Sequence, residues 1–318
     1  MLVNGQWDAD WNPVQKKDKD GRFVRQTSQF RERLSPSQVQ AVAEGKLSLT
    51  LYVAYICPWA TRTLIARGLL GLQDYIDVKV VDPRLSDQGW CFSDFDGATP
   101  ASEMDISYIH ALYTQSDAHY TGRATVPVLW DDTHKRILNN ESADILEVLN
   151  HDLRPLHSVD CDLCPEPLRS AVEAFCDDIY ESLNNGVYKA GFASSQQAYE
   201  EAFDGVFNKL DALEVHFSQQ PFAVGDQLTF ADIRLFVTLV RFDVAYVGLF
   251  KTNQRTLLSY PALSGYLERL LEIPAFAHAT RVDHIKAGYY SIKALNPGGL
   301  VPQGPVLPWF SQLPEGHY

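Results

Sequence analysis

Nowhere in its 318 residues does the sequence hold an apolar run approaching the roughly 18–20 residues that a membrane-spanning helix needs. One of the longest runs, residues 49–58, is interrupted by Thr50 and ends at Cys57-Pro58. The start has no apolar stretch behind its charges, so a secretory leader is not expected. Basic charge is also short. With 27 Lys+Arg against 40 Asp+Glu the formal net charge is −13, and such a chain repels a phosphate backbone, so general nucleic-acid binding is not expected. The five cysteines have none of the dense spacing of a secreted disulfide scaffold. The nine histidines form no metal motif, no Gly-rich phosphate loop is present, and no repeat of fixed period recurs. These absences leave a globular protein of a reducing compartment, expected in the cytoplasm.

The length suits about two domains. Residues 1–46 lack a sustained apolar period and hold eight lysines and arginines against six acids, so the acidic excess lies in the remainder. They read as an extension laid over a folded body, or as an arm that meets an acidic ligand or a second subunit. From Leu47 the texture changes. SLTLYVAYI (48–56) reads as a buried strand, CPWATRTLIARGLLG (57–71) as a helix with Pro58 opening it and Gly71 ending it, and IDVKVVD (76–82) as a second strand. That βαβ unit implies a parallel strand pair. A long insertion, about 83–122, holds one expected helix near residues 105–115. VPVLWDD (126–132) and RILNN (136–140) then read as a hairpin and ESADILEVLNH (141–151) as a helix. This order around a Cys-Pro is the thioredoxin-like arrangement, assigned to 47–151.

Three prolines mark 152–167 as a linker. Residues 168–295 read as all-helical. Phe203, Val206, Phe207, Leu210 and Leu213 form one stripe, Thr229 and Asp232 a capping pair, and Pro261 and Pro274 open later helices. The tail 296–318 is too rich in Pro and Gly for regular structure to be expected. The fold class is thus α/β plus all-α: a thioredoxin-like domain followed by a helical one.

The chemistry centres on Cys57. Sulfur at a helix N-terminus is stabilised as thiolate by the unpaired first-turn amides and the helix dipole. A dithiol redox site needs a second cysteine three residues on, and position 60 is Ala60. The site is monothiol: it can form a mixed disulfide that an outside thiol must resolve. The plainer reading, a small buried hydrophobe closing a strand, competes with this. Val126-Pro127, just before a strand, stands where a thioredoxin-like fold carries a cis proline and offers backbone to an extended peptide. Glu141-Ser142 opens a helix that could receive a carboxylate, with Glu141 facing an ammonium; alone, Ser142 is a plain cap. Together these three elements describe an amino-acid-like thiol peptide held against Cys57. Cys161 and Cys164 have metal-ligand spacing but no second ligand pair nearby, so no metal site is expected. Cys91 is a conceivable resolving thiol.

The segments GRFVRQTSQFR (21–31), YICPWATRT (55–63), VVDPRLSDQGWCF (80–92), YTGRATVPVLWD (120–131), NNESADI (139–145), NNGVYKAGFA (184–193), RFDVAYVGLFKTN (241–253) and YYSIKALNPGGLVPQGP (289–305) resemble those of the glutathionyl-hydroquinone reductases, the Xi class of glutathione transferases. The resemblance covers nearly the whole chain. It implies that Cys57 attacks the sulfur of a glutathionyl-hydroquinone and that a second glutathione, a cosubstrate and not a permanently bound cofactor, resolves the mixed disulfide. It implies that Trp90 and Arg123 hold the glycyl end of glutathione, Val126 and Pro127 its backbone, and Glu141 and Ser142 its γ-glutamyl end. Tyr188, Tyr246 and Tyr290 would line the aromatic pocket, with the choice between Tyr289 and Tyr290 open. It also implies a homodimer.

Gly288 before the tyrosine pair and Ser291-Ile292-Lys293 after it depart from the family pattern, which bears on the aromatic substrate more than on the reaction. Two alternatives stand beside this one: an omega-like thiol transferase acting on glutathionylated proteins or dehydroascorbate, and a non-catalytic module binding glutathione or an aromatic ligand.

Overall fold

The structure is a computed structural model and describes residues 1–9, 18–23 and 26–318. Residues 10–17 and 24–25 of the expected extension lie outside the described residues. The chain divides into two units, Met1–Asn12 with Gln26–Cys161 and Pro13–Arg25 with Asp162–Tyr318.

The first unit is built on a four-stranded sheet. It begins with a small hairpin, β1 (Leu2–Val3) and β2 (Gln6–Trp7), whose Asn4-Gly5 turn takes two positive φ angles, 47° and 77°, the geometry an Asn-Gly pair favours. Then come α1 (Pro36–Ala43), β3 (Leu49–Val53), α2 (Pro58–Leu69), β4 (Ile76–Val80), α3 (His110–Ser116), β5 (Val128–Asp131), β6 (Arg136–Asn139) and α4 (Ser142–Glu147). All five residues of β3 are buried, which is why this run is uniformly apolar or β-branched instead of alternating. The sheet order is β4-β3-β5-β6. β3 pairs in parallel with β4, from Leu49 opposite Ile76 to Val53 opposite Val80, and antiparallel with β5, with Tyr52 opposite Val128. α2 is the crossover, opened by Pro58 and followed by Gly71 at φ 66°. The register matters for function: the end of β3, the start of β5 and the end of β6 all reach the same edge of the sheet. Cys57, Val126 and Glu141 follow from those three ends.

Three expectations are corrected here. The helix read over 141–151 is α-helical only to Glu147 and continues as a π-helical turn, Val148–Asp152. The widened turn sets Asp152 against Arg33, at 2.6 and 2.8 Å, and against the Leu34 amide at 3.0 Å. The extension is no separate layer: Leu2 is 1% exposed, and α1 buries Val39 and Val42 under a capping box of Ser35 and Gln38. Two of its arginines pair within this unit, Arg31 with Asp144 and Arg33 with Asp152.

The second unit is helical: α5 (Arg169–Ile179), α6 (Gly186–Gly191), α7 (Gln196–Phe217), α8 (Phe230–Arg241), α9 (Val247–Leu249), α10 (Pro261–Leu271), α11 (Pro274–His278) and α12 (Val282–Tyr290). π-helical turns, Tyr180–Asn184 and Phe242–Tyr246, follow α5 and α8. Val206, Phe207, Leu210 and Leu213 of α7 are buried at the spacing read from the sequence. Asp232 receives the Thr229 amide at 2.9 Å, the Ala223 amide at 2.8 Å and the Tyr266 hydroxyl at 2.9 Å, so this carboxylate ties the start of α8 to a preceding loop and to α10. The tail is the third correction. Pro308–Gln312 forms a 3₁₀ turn, and Trp309 is 1% exposed, because the apolar Leu307, Phe310 and Leu313 are buried around it. Among the described residues no helix is long and apolar enough to cross a membrane.

Candidate active site

Cys57 is the N-cap of α2 in extended conformation, φ −77° and ψ 114°, with Pro58 at the first helical position. Its amide donates to Ala54 O and its carbonyl accepts from Thr61 N, both at 3.0 Å, and Thr61 Oγ1 donates to the same carbonyl at 3.0 Å. The backbone around the sulfur is therefore fixed by three bonds. The half-buried thiol is 3.5 Å from Val126 O, to which it donates. Val126-Pro127 is a cis peptide. Val126 is 5% exposed, and its amide has no partner among the described residues. A buried unpaired N–H is costly, and this amide is a donor of the kind that an extended peptide's carbonyl can satisfy.

At the neighbouring helix start, Glu141 caps α4 by accepting from Ala143 N at 3.3 Å, and it accepts from Ser28 Oγ at 3.0 Å. The Asn139 side chain receives the Glu141 amide at 2.8 Å. Ser142 is 3% exposed and its hydroxyl has no partner among the described residues. An unpaired buried hydroxyl at a helix N-terminus suits a carboxylate. Trp90 and Arg123, both half-buried, sit on two separate loops. Trp90 O accepts from Ile109 N at 3.0 Å, and the Arg123 amide donates to Gln26 Oε1 at 3.1 Å. Ser28 and Gln26 support this site without any motif that announces them; only their place in the 21–31 segment pointed to that region.

In the second unit, three hydroxyls meet. Tyr188 on α6 and Tyr246 in the π-helical turn both bond Tyr289 on α12, at 2.5 and 3.0 Å. Tyr246 is fully buried and Tyr289 3% exposed. Burial pushes both phenols well above their ordinary pKa, a push that buried Arg241 partly opposes. Phe250 stacks on Tyr246 at 5.1 Å and meets Tyr188 edge-on at 5.3 Å, while Phe23 and Phe192 stack on Tyr188 at 6.4 and 6.3 Å. Tyr290 is not in the cluster: its hydroxyl donates to Val244 O at 3.3 Å. Of the tyrosine pair, Tyr289 joins Tyr188 and Tyr246. The aromatic box of Phe23, Phe192 and Phe250 has no sequence signature of its own.

Among the described residues no disulfide forms and no group of His, Cys, Asp and Glu is placed to hold a metal. Burial, aided by Asp82, pushes the Cys91 thiol up, against the lowering effect of Ser86 and Arg84, so it is a poor resolving thiol.

Comparison with known proteins bears on both units. Residues 56–152 match the glutathione S-transferase N-terminal domain, and residues 196–269 match the glutathione S-transferase C-terminal domain. The chain is 43% identical over 310 residues to the glutathionyl-hydroquinone reductase PcpF of Sphingobium chlorophenolicum, covering 97% of each. It is 41% identical to the glutathionyl-hydroquinone reductase YqjG of Escherichia coli, covering 100% of this chain and 97% of that one. The glutathione-bound structure of YqjG superposes with a TM-score of 0.85 at 37% identity, covering 100% and 99% of the two chains. The Xi glutathione S-transferase of Phanerochaete chrysosporium superposes with a TM-score of 0.86 at 40% identity, covering 93% and 98%. Relatedness of this extent, spanning nearly all of each chain and carrying a helix-opening cysteine, places the chain plainly: it belongs to the glutathionyl-hydroquinone reductase family, the Xi class of glutathione transferases.

Proposed function

We propose that the protein reduces glutathionyl-hydroquinones to hydroquinones at the expense of glutathione. The observation that carries this reading is Cys57 at the start of α2, with Pro58 after it and Ala60 where a dithiol site has its second cysteine. In the first step the Cys57 thiolate attacks the substrate's glutathionyl sulfur. The carbon–sulfur bond breaks, its electron pair returns to the ring, a proton replaces sulfur on that carbon, and Cys57 is left disulfide-bonded to glutathione. In the second step a glutathione thiolate attacks that disulfide and leaves as glutathione disulfide, restoring the Cys57 thiolate. The balance is one glutathionyl-hydroquinone and one glutathione in, one hydroquinone and one glutathione disulfide out.

The residues divide the work. The unpaired Val126 amide takes a backbone carbonyl of glutathione, and Ser142 with the first turn of α4 takes its γ-glutamyl carboxylate. Glu141 takes the ammonium. Trp90 and Arg123 take the glycyl end. Tyr188, Tyr246 and Tyr289 supply neutral hydroxyls for the ring oxygens; Tyr289 replaces Tyr290 in this role because its hydroxyl, and not that of Tyr290, joins the other two. Glutathione is a cosubstrate, no permanent cofactor takes part, and the protein works in the cytoplasm as a homodimer.

The test is glutathione-dependent hydroquinone release from a synthetic glutathionyl-hydroquinone, with dehydroascorbate and a glutathionylated peptide as competing substrates. Quinol release that exceeds the other two activities, and that disappears in Cys57→Ser, is the expected result. Turnover of dehydroascorbate or the peptide without quinol release would instead make the chain an omega-like thiol transferase.

A further inference from the structure

The loop that carries Trp90, residues 81–92, has no helix or strand of its own. Inside it, Ser86 and Gly89 exchange two backbone bonds at 2.9 and 3.1 Å, and Ser86 Oγ donates to Gly89 O at 2.8 Å. A turn of this kind holds its own shape but not its place, which has to be fixed from outside. The ends of the loop are held by Val53, Ser107 and Ile109, and at the turn itself Trp7 of β2 makes the contact. Its Nε1 donates to Asp87 O at 3.1 Å, and its ring lies on Gly89, where an added Cβ would stand 3.2 Å from Trp7 Cη2. The ring also stacks on His110, at 5.0 Å and 26°. His110 in turn stacks on Tyr108 at 5.2 Å and 8°, and bonds Gln88 Oε1 at 3.3 Å. The residue between Tyr108 and His110 is Ile109, whose amide holds Trp90 O.

The first strand of the same hairpin fastens the other glycyl-end loop. Leu2 and Gly122 exchange backbone bonds at 2.9 and 3.0 Å, the Asn4 amide donates to Thr121 Oγ1 at 2.8 Å, and the Gly5 amide to Tyr120 O at 3.0 Å. Gly122 directly precedes Arg123. One six-residue hairpin, Leu2 to Trp7, is thus bonded to both of the loops that carry Trp90 and Arg123, and nothing else about its sequence requires a tryptophan at its end.

We infer that Trp7 is a positioning residue for glutathione recognition, setting Trp90 and Arg123 for the glycyl carboxylate through the β1–β2 hairpin. The inference rests on the assignment of those two residues to the glycyl end. It predicts a selective defect, because the hydrogen bonds described for the hairpin go to the loops of Trp90 and Arg123, and none of them goes to Val126, α2 or α4.

The experiment compares the glutathionyl-hydroquinone with its γ-glutamylcysteinyl analogue, which lacks the glycine, as the varied substrate at a fixed saturating glutathione, because the substrate's own peptide fills the glycyl subsite when Cys57 attacks. Trp7→Ala should raise KM for the glutathionyl-hydroquinone roughly tenfold, the effect of losing one well-aligned contact to a charged group, while kcat stays within about twofold. KM for the γ-glutamylcysteinyl analogue should not move. Trp7→Phe, which keeps the ring on Gly89 and His110 but loses the bond to Asp87 O, should recover most of the loss and carries the test if the alanine variant fails to fold. Wild type that prefers the glutathionyl substrate while both variants keep that preference overturns the inference and leaves the glycyl assignment standing. An equal rise in KM for both substrates also overturns it, since that marks a general structural role. Wild type that treats the two substrates alike overturns the glycyl assignment itself and the inference with it.

Discussion

Adjacent side chains in an α-helix point about 100° apart, so only one of Tyr289 and Tyr290 can face a given neighbour. The sequence names the pair but holds no signal for which one, because the answer depends on how α12 is rotated. The structure gives it to Tyr289. Tyr289→Phe should therefore lower kcat/KM for the glutathionyl-hydroquinone about tenfold, the cost of one hydroxyl in a closed network, and Tyr290→Phe less than about twofold. Parallel steady-state assays of the two variants check this. The phenols also carry a pH signature. Burial raises the folded pKa of Tyr246 and Tyr289 well above the ordinary value of 10.0, so no loss of activity below about pH 10 should arise from them. Above that the folded state holds protons that the unfolded chain has released, and stability falls as pH rises. Urea melts of wild type and Tyr289→Phe between pH 9 and about 11 read the difference: the variant should lose less stability over this range.

Cys57-Pro58, the βαβ unit and the Thr229–Asp232 pair were legible at the scale of elements because each is a local pattern with a local cause: a helix start, a short apolar β-rich run on either side of a helix, a capping pair. α1 was not, since it buries only Val39 and Val42 and shows no apolar stripe. The π-helical turns were not either: an extra residue in a turn changes the aim of the side chains without changing the composition. The capping carboxylate permits a sharp expectation. Asp232 receives two backbone amides and the Tyr266 hydroxyl, and it is fully buried. Asp232→Ala leaves those donors unmet and should cost about 3 kcal/mol of stability or more, read as a lower urea midpoint. Trp309, expected from the Pro/Gly-rich tail to lie in irregular chain, is 1% exposed. Trp309→Ala should cost about 3–5 kcal/mol, and a change under about 1 kcal/mol would mean that the tail does not pack as described.

Across the whole molecule the monothiol logic was readable from sequence because it turns on one residue, Ala60, standing where a second cysteine is needed. The partners of Cys57 were harder to read. Val126 and Glu141 are 69 and 84 positions away in sequence, and only the order β4-β3-β5-β6 brings them to its edge of the sheet. The acidic net charge averages over a mildly basic extension, two of whose arginines, Arg31 and Arg33, pair with Asp144 and Asp152. Sedimentation equilibrium should give twice the chain mass of 35.8 kDa, and a monomer at working concentration would contradict the homodimer. The central claim is that a single thiol carries glutathione between two substrates. Intact-protein mass spectrometry after one equivalent of glutathionyl-hydroquinone, with no free glutathione present, tests it most directly. The account predicts one hydroquinone released per chain and one glutathionyl group on Cys57, removed when glutathione is added and absent from Cys57→Ser. Hydroquinone released in full with Cys57 unmodified, or equally by Cys57→Ser, would contradict it.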